Sequence, residues 1–229
     1  MALPTYDARI DWSKDGYGSS GIDVITSDVL SIRRTDGVSD VFGGDLTATC
    51  VITVDNGSGK YSDQVATSPL TGLLKPRRPI HINVTDPDVA TTYGFFDGFV
   101  DDIIPVASDD DPQCEILCSD RLTGYRKTPV EIGTSDTDYR SAYLAVLAAA
   151  GTASGQTSIP TGAELAAMLP FGWSGMAWDA LLELNRSTGS RHAIKATNSF
   201  TTASYQYVVR DRNDALATAS PAAIVKATD

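Results

Sequence analysis

The sequence predicts an α+β fold that is mainly β: a β-barrel-like N-terminal domain, a small α/β domain, and a partial second β-region. Three observations carry this expectation. Up to Tyr125 the chain alternates apolar and polar residues with a period of two, interrupted by Gly, Asn, Asp and Pro turns. After Tyr125 alanine becomes frequent and apolar residues recur at helical spacing. Beyond Gly189 short runs with β-branched and aromatic residues return. The domains are therefore expected at 1–125, 126–189 and 190–229.

Composition narrows the class. A chain of 229 residues with 42% hydrophobic content can bury a real core, as one large or two small domains. Its net charge of −11 opposes specific nucleic-acid binding, which needs a basic stripe, and opposes docking on anionic membranes. No apolar run approaches the roughly twenty residues that a membrane helix needs. Met1-Ala-Leu-Pro-Thr-Tyr-Asp7 lacks a basic region followed by an apolar core, so no signal peptide is expected. The three cysteines are too few for a disulfide scaffold. On one strand Cys114 and Cys118 lie on one side, about 13 Å apart, beyond bridging reach. Reduced core thiols and synthesis in a reducing cytoplasm follow.

In chain order, Trp12 and Tyr17 flank a Lys-Asp-Gly turn and predict a hairpin, with Asp11 and Asp15 as turn residues rather than cation ligands. Leu30, Ile32 and Arg34 alternate with Val29, Ser31 and Arg33 in a strand that Thr35-Asp-Gly37 ends. Leu46 to Val54 is a half-buried strand with Ala48, Cys50, Ile52 and Val54 on one face. Asp55-Asn-Gly-Ser-Gly59 stops it. Its Gly57-Ser-Gly-Lys60 is not a phosphate loop: Val54 stands at the first Gly position, and Tyr61 where Ser or Thr is needed. Ile80, Ile82 and Val84 alternate with His81, Asn83 and Thr85 after Pro79. Tyr93 to Ile104 is a longer strand, with Gly94 and Gly98 as expected bulges. Gln113 to Cys118 completes the strands of the first domain.

Helical spacing at Tyr139, Tyr143, Val146, Leu147 and Ala150 follows a capping segment at Ser135–Asp138 and stops at Gly151. A short helix is expected at 163–169, closed before Pro170. A third helix is expected from Trp173, capped by Ser174 and left at Gly189. Arg191 to Thr197 and Tyr205 to Asp211 read as strands, followed by a polar turn and an Ala-rich tail.

Three blocks resemble the first β-domain of phage tail hub proteins, the baseplate hub or minor tail proteins common in phages of actinobacteria. The blocks are Asp55-Asn-Gly-Ser-Gly-Lys-Tyr61, Ser68-Pro-Leu-Thr-Gly-Leu-Leu-Lys-Pro-Arg-Arg-Pro79, and the aromatic strand Phe96-Asp-Gly-Phe-Val-Asp-Asp-Ile103. An Asp11-Trp12 loop, a strand ending in Arg33-Arg34, and a later Ala177-Trp-Asp-Ala-Leu181 helix come in the family's order. This chain departs at Arg77, where the family pattern has Gly.

The resemblance implies a non-enzymatic structural protein of the virion, at the tail tip of a long-tailed phage and made in the host cytoplasm. It implies a homotrimeric ring, with a hexamer as the other arrangement. The implied partners are the distal tail protein, the tail tube and the tape measure protein. Interface candidates are Arg33, Arg34, Pro69, Leu70, Leu73, Leu74, Arg78, Phe95 and Phe96, several of which the sequence reads equally well as core. Asp101, Asp102, Asp109 and Asp110 are candidates for an acidic channel wall that repels DNA phosphates. The family's second β-domain continues past this chain's length.

Catalytic chemistry is not expected. His81 and His192 form no metal-ligand pattern and accompany no nucleophile turn, and His81 on a polar strand face reads as plain surface. No cofactor or metal is expected. The alternative function is a carbohydrate-binding tail-tip module that contacts the host cell wall through exposed Trp12, Tyr17, Tyr205 and Tyr207.

Overall fold

The computed structural model describes residues 3–18, 21–35, 47–106, 112–161, 165, 168–200 and 204–210. It is mainly β with few helices, as the sequence patterning requires. Asp36, Gly37, Leu46, Asp109, Asp110 and the segment 211–229 lie outside the described residues.

The first unit is a curled six-stranded sheet. Its strands are β1 (Thr5–Ile10), β2 (Val29–Thr35), β3 (Thr49–Asp55), β4 (Pro79–Asp86), β5 (Thr91–Val106) and β6 (Gln113–Asp120), in the order β1-β4-β5-β6-β3-β2. All neighbours are antiparallel. The concave face carries the apolar half of each alternation. Ala8, Ile10, Cys50, Ile52, Val54, Ile80, Ile82, Phe96, Val100, Cys114 and Ile116 close on Trp12, Ile25, Tyr61 and Leu70. The register sets Cys50 opposite Cys118 and Val54 opposite Cys114, and all three thiols are free and buried. Burial pushes Cys50 and Cys114 each up to about 12, so these thiols stay protonated and inert.

Turn chemistry holds the loops. Asn56 Oδ1 accepts the Tyr61 amide at 2.8 Å, and Gly59 takes φ +69°. Lys60 reaches Asp28 at 2.7 Å. Asp11 accepts the amides of Asp15 and Gly16 at 3.0 and 3.1 Å, the turn role read from sequence. The expected hairpin across Trp12 and Tyr17 is absent, because β1 pairs with β4 and its other edge meets Asp23–Ile25. The bulges also move. Phe95 is the extra residue between β4 and β5, and Asp101 between β5 and β6. Gly94 and Gly98 instead lie where another backbone crowds the space a Cβ would take.

The second unit holds α1 (Leu122–Tyr125), β7 (Pro129–Asp138), α2 (Tyr139–Ala149), β8 (Thr157–Ser158), β9 (Met168–Met176), α3 (Ala177–Thr188), β10 (Arg191–Ala196) and β11 (Tyr205–Arg210). β7 pairs with β9, while β10, β11 and β8 make a small sheet. Asp138 is the N-cap of α2, accepting the Ser141 amide at 2.6 Å. Gly151 (φ +84°) and Gly189 (φ +67°) let the chain leave α2 and α3. Tyr143, Val146 and Leu147 of α2 pack on Ala177, Leu181 and Leu184 of α3, with Tyr207 and Val209 of β11.

One helix expectation is corrected here, and most of another, the short helix at 163–169, lies outside the described residues, apart from Leu165 and the strand residues Met168 and Leu169. Met168 to Met176 is a strand, so α3 begins at Ala177, not at Ser174. Pairing with β7 overrides local helix signals, and Pro170, Gly172 and Gly175 weaken a helix there. Met176 caps α3 without a side-chain bond, and the Ala177 amide is satisfied by the Thr128 carbonyl at 2.9 Å.

Candidate functional site

The site lies on the convex side of β4 and β5, where the second unit meets the sheet. Strict alternation would leave this face solvated. Yet Ile80, His81, Ile82 and Asn83 are consecutively buried. The covering elements are the Thr197–Phe200 connection after β10 and the loop carrying Tyr17. Gly94 permits this approach: its missing Cβ leaves room for the backbone of Ala196 and Thr197.

His81 and Asp97 face one another across the β4–β5 register. His81 Nδ1 lies 2.8 Å from Asp97 Oδ2, and both side chains are fully buried. Arg121, just past β6, donates from Nε to the other Asp97 oxygen at 2.5 Å. His81 Nε2 lies 3.0 Å from Asn83 Oδ1, and Asn83 Nδ2 donates to the Asn198 carbonyl at 3.4 Å. One buried carboxylate is thus shared by His81 of β4 and by Arg121 just past β6, and a buried charge requires such pairing.

Aromatic rings close the cluster. The Phe200 ring meets His81 edge-on at 4.9 Å, and the Arg9 guanidinium lies 3.9 Å over Phe200. Arg77 and Arg121 lie 4.2 and 4.5 Å from the Phe99 ring, and Arg121 also lies 4.9 Å from Tyr205. Burial and the Asp97 charge raise the Tyr17 phenol far above its ordinary range, so it stays a neutral donor-acceptor beside Arg121. Burial opposes the charge on Arg121, but Asp97, Tyr17 and the bond to Asp97 outweigh it and raise its pKa.

The residues singled out from sequence fall into distinct places. Leu70 and Phe96 are core; Arg78 is buried, its Nε on the Leu73 carbonyl at 3.2 Å. Leu73, Leu74 and Phe95 are half-buried against the same core. Arg34 donates to the Phe95 carbonyl and lies 5.5 Å from its ring. Arg33 and Pro69 are exposed. Asp101 and Asp102 are exposed at the β5 bulge, where Asp101 accepts from Ser119 at 3.0 Å.

His81 is not plain surface, because the second unit covers its strand face. The four aromatics considered for glycan contact do not share an exposed face. Trp12 and Tyr207 are fully buried, while Tyr17 and Tyr205 pack into the cluster just described. Asp97, Asn83, Arg121 and Phe200 were not found from sequence. The available signal was a carboxylate set between Phe96 and Phe99 on a strand otherwise reading as core.

Chemically, the arrangement joins surfaces. Among the described residues, no group of three or more His, Cys, Asp or Glu is placed to hold a metal ion. The polar groups of His81, Asn83, Asp97 and Arg121 are committed to one another and to the Asn198 carbonyl, which suits a fixed seam more than a reacting centre.

No protein-family model matches the chain, and no curated protein matches it. Solved structures do resemble it. A tail protein from Neisseria meningitidis MC58 superposes with a TM-score of 0.52 at 8% identity, over 90% of this chain and 50% of that one. The 43 kDa tail protein of prophage MuSo2 from Shewanella oneidensis gives 0.55 at 8% identity, over 90% and 53%. A chain of the Francisella PdpA-VgrG complex gives 0.50 at 14% identity, over 99% and 30%. The protein therefore shares its fold with phage tail proteins, and it spans about half the length of the first two.

Proposed function

We propose that this chain is a non-enzymatic structural component of a phage tail tip, forming part of the baseplate hub ring at the end of the tail tube. The observation that carries the reading is the fold shared with two tail proteins over 90% of the chain. The order of the sequence blocks from Asp11-Trp12 to Ala177–Leu181 supports it independently.

In this reading residues 1–125 form the ring-building unit, 126–189 the α/β domain, and 190–229 a returning β-region, with α1 and the β10–β11 hairpin packed into the core of the α/β domain. Copies associate as a homotrimer, or as a hexamer that matches the tube directly. The distal tail protein, the tail tube and the tape measure protein are the neighbours. Exposed Arg33 and Pro69 supply contacts, with half-buried Leu73, Leu74 and Phe95 beside them. Leu70, Arg78 and Phe96 shape that surface from beneath, and Arg34 fixes Phe95. Asp101 and Asp102 face the DNA channel and keep the phosphate backbone from adhering, with Asp109 and Asp110 continuing the acidic run in sequence.

The test is the copy number of this chain in purified virions, by quantitative mass spectrometry against the tube protein. About three or about six copies per particle support a tip ring and choose between the two assemblies. Absence from the particle refutes the structural role.

A further inference from the structure

Beyond Val100 the strand β5 loses one neighbour. β4 pairs with it from Thr91 to Phe99, and the backbone of Arg77 and Arg78 carries the bonding as far as Val100. From Asp102 to Val106, β5 is paired with β6 alone among the described residues. A cavity of about 380 Å³ opens along this bare edge, between β5 and the connection that runs from Tyr61 to Pro76. Leu74, Pro76, Ile103 and Pro105 give it apolar walls, and Asp63 and Asp102 line it as well. Both carboxylates are exposed, and neither is ion-paired among the described residues.

Apolar walls beside unpaired carboxylates select a particular guest. A purely apolar guest would cover the acids and leave them without a partner. An anion would be repelled. A long basic side chain answers both features: its methylene stem covers the apolar walls and its charged head meets the acids. Arginine suits the task best, because its planar fork presents donors to both carboxylates.

The chain carries such a group on the opposite flank of the same sheet. Arg33 of β2 is exposed, and its guanidinium has no partner among the described residues. The register links the two places: Asp102 lies opposite Leu117, Leu117 opposite Val51, and Val51 opposite Arg33. These residues form one row on the face away from the core. The row crosses β5, β6, β3 and β2, so its ends are roughly 14 Å apart at the usual strand spacing. That is further than the Arg33 and Asp102 side chains together extend, so Arg33 does not fill the cavity of its own chain. A second copy supplies it without that restriction. The net charge of −11 sets whole copies against one another, so a joint between them needs a local cation placed against local acids.

We propose that Arg33 of one copy docks in the Asp63–Asp102 cavity of the next. The contact joins unlike patches on identical chains, so it is heterologous and repeats from copy to copy until the rotation closes a ring. The inference rests on the ring reading above and gives that ring its joint. Asp102 then serves the contact between copies, and Asp101 beside it stays with the channel wall.

The test is a charge swap read by sedimentation of the purified full chain. One variant carries Arg33→Glu, and another carries Asp63→Lys together with Asp102→Lys. All these positions are exposed, and unchanged urea midpoints verify that each variant folds. The wild type is expected to self-associate, less so as salt is added. Each variant alone sets like charges against one another at the joint, and should associate at least roughly tenfold more weakly. Mixed in equal amounts, the two variants restore opposite charges at every contact between unlike partners, and association should recover. Variants that associate alone as well as the wild type does, or a mixture that does not recover, would overturn the joint. So would a wild type that stays monomeric, which leaves the cavity to a basic side chain of a different protein. The tail-tip reading falls on a separate result, the absence of the chain from virions.

Discussion

The two units come closest at Gly94, and a single methyl group tests how firmly they are joined. A Cβ there would overlap the Ala196 carbonyl carbon and oxygen and the Thr197 carbonyl oxygen. All are backbone atoms, so no side-chain rotation relieves the clash. β10 is tied to β11 through six residue pairs, so the hairpin must shift as a body. Such a shift sacrifices the Asn83–Asn198 bond, about 1 kcal/mol. It weakens the edge contact of Phe200 with His81, about 0.5–1.5 kcal/mol. It also weakens the Arg9–Phe200 cation–π contact, about 0.5–1 kcal/mol. Gly94→Ala should therefore cost roughly 2–3.5 kcal/mol, near the upper part of the range for overpacked sites. Gly133 is the control: it has open space around its Cβ position and no positive φ. Urea unfolding followed by tryptophan fluorescence reads both units, since Trp12 lies in the first core and Trp178 in the second. Equal unfolding midpoints for Gly94→Ala and Gly133→Ala would refute the close-approach argument.

The other predictions concern backbone strain, capping and protons. Arg77 occupies φ +64°; Arg77→Gly and Arg77→Ala both lose the contact with Phe99, so their difference isolates the backbone. The Gly variant should be more stable by about 1 kcal/mol in chemical denaturation, and equal stabilities would count against strain at this turn. Asp138→Ala removes the cap of α2 and should cost about 1 kcal/mol by the same assay, whereas a Ser or Asn replacement should retain most of it. Burial pushes Asp120 up to about 6, against the opposing bonds from the Ala48 and Leu122 amides. The folded state thus prefers the protonated acid, and this contribution is present near pH 4 and lost as pH rises through about 6. Relative to Asp120→Asn, the wild type should lose roughly 2–3 kcal/mol between about pH 4 and about pH 7.5; a constant gap across that range would exclude the effect.

The fold was legible where one periodicity acted alone. Ile80 and Ile82, like Cys50, Ile52 and Val54, announce a strand face directly, and the core contains them all. Tyr143, Val146 and Leu147 did the same for α2. Periodicity failed from Met168 to Met176, where Trp173, Met176 and Leu181 also fit a helical stripe. What decides that segment is its pairing with β7, a partner some forty residues away in sequence. The Trp12–Tyr17 hairpin failed for a related reason. Its Lys-Asp-Gly turn is real turn chemistry, but a turn does not choose the strand that follows it, and β1 found β4 instead.

The seam was hidden by a different physical fact. Alternation tells which face of a strand is apolar, but it does not tell whether the polar face meets water. On β4 the apolar face forms the sheet's own core, and His81 and Asn83 take the other side. A polar face can be buried only if its groups satisfy one another, and the necessary partners come from Tyr17, Asp97, Arg121 and Asn198. No local spacing links those positions. The two local traces are negative ones: a carboxylate among aromatics at Asp97, and a missing side chain at Gly94. Both mark the strand on which a second unit rests. A seam of committed hydrogen bonds resists sliding better than an apolar contact of equal area, because each displaced donor or acceptor is left unpaired. The polar residues at this junction thus fix the orientation of the two units, while the apolar cores on either side supply most of the stability.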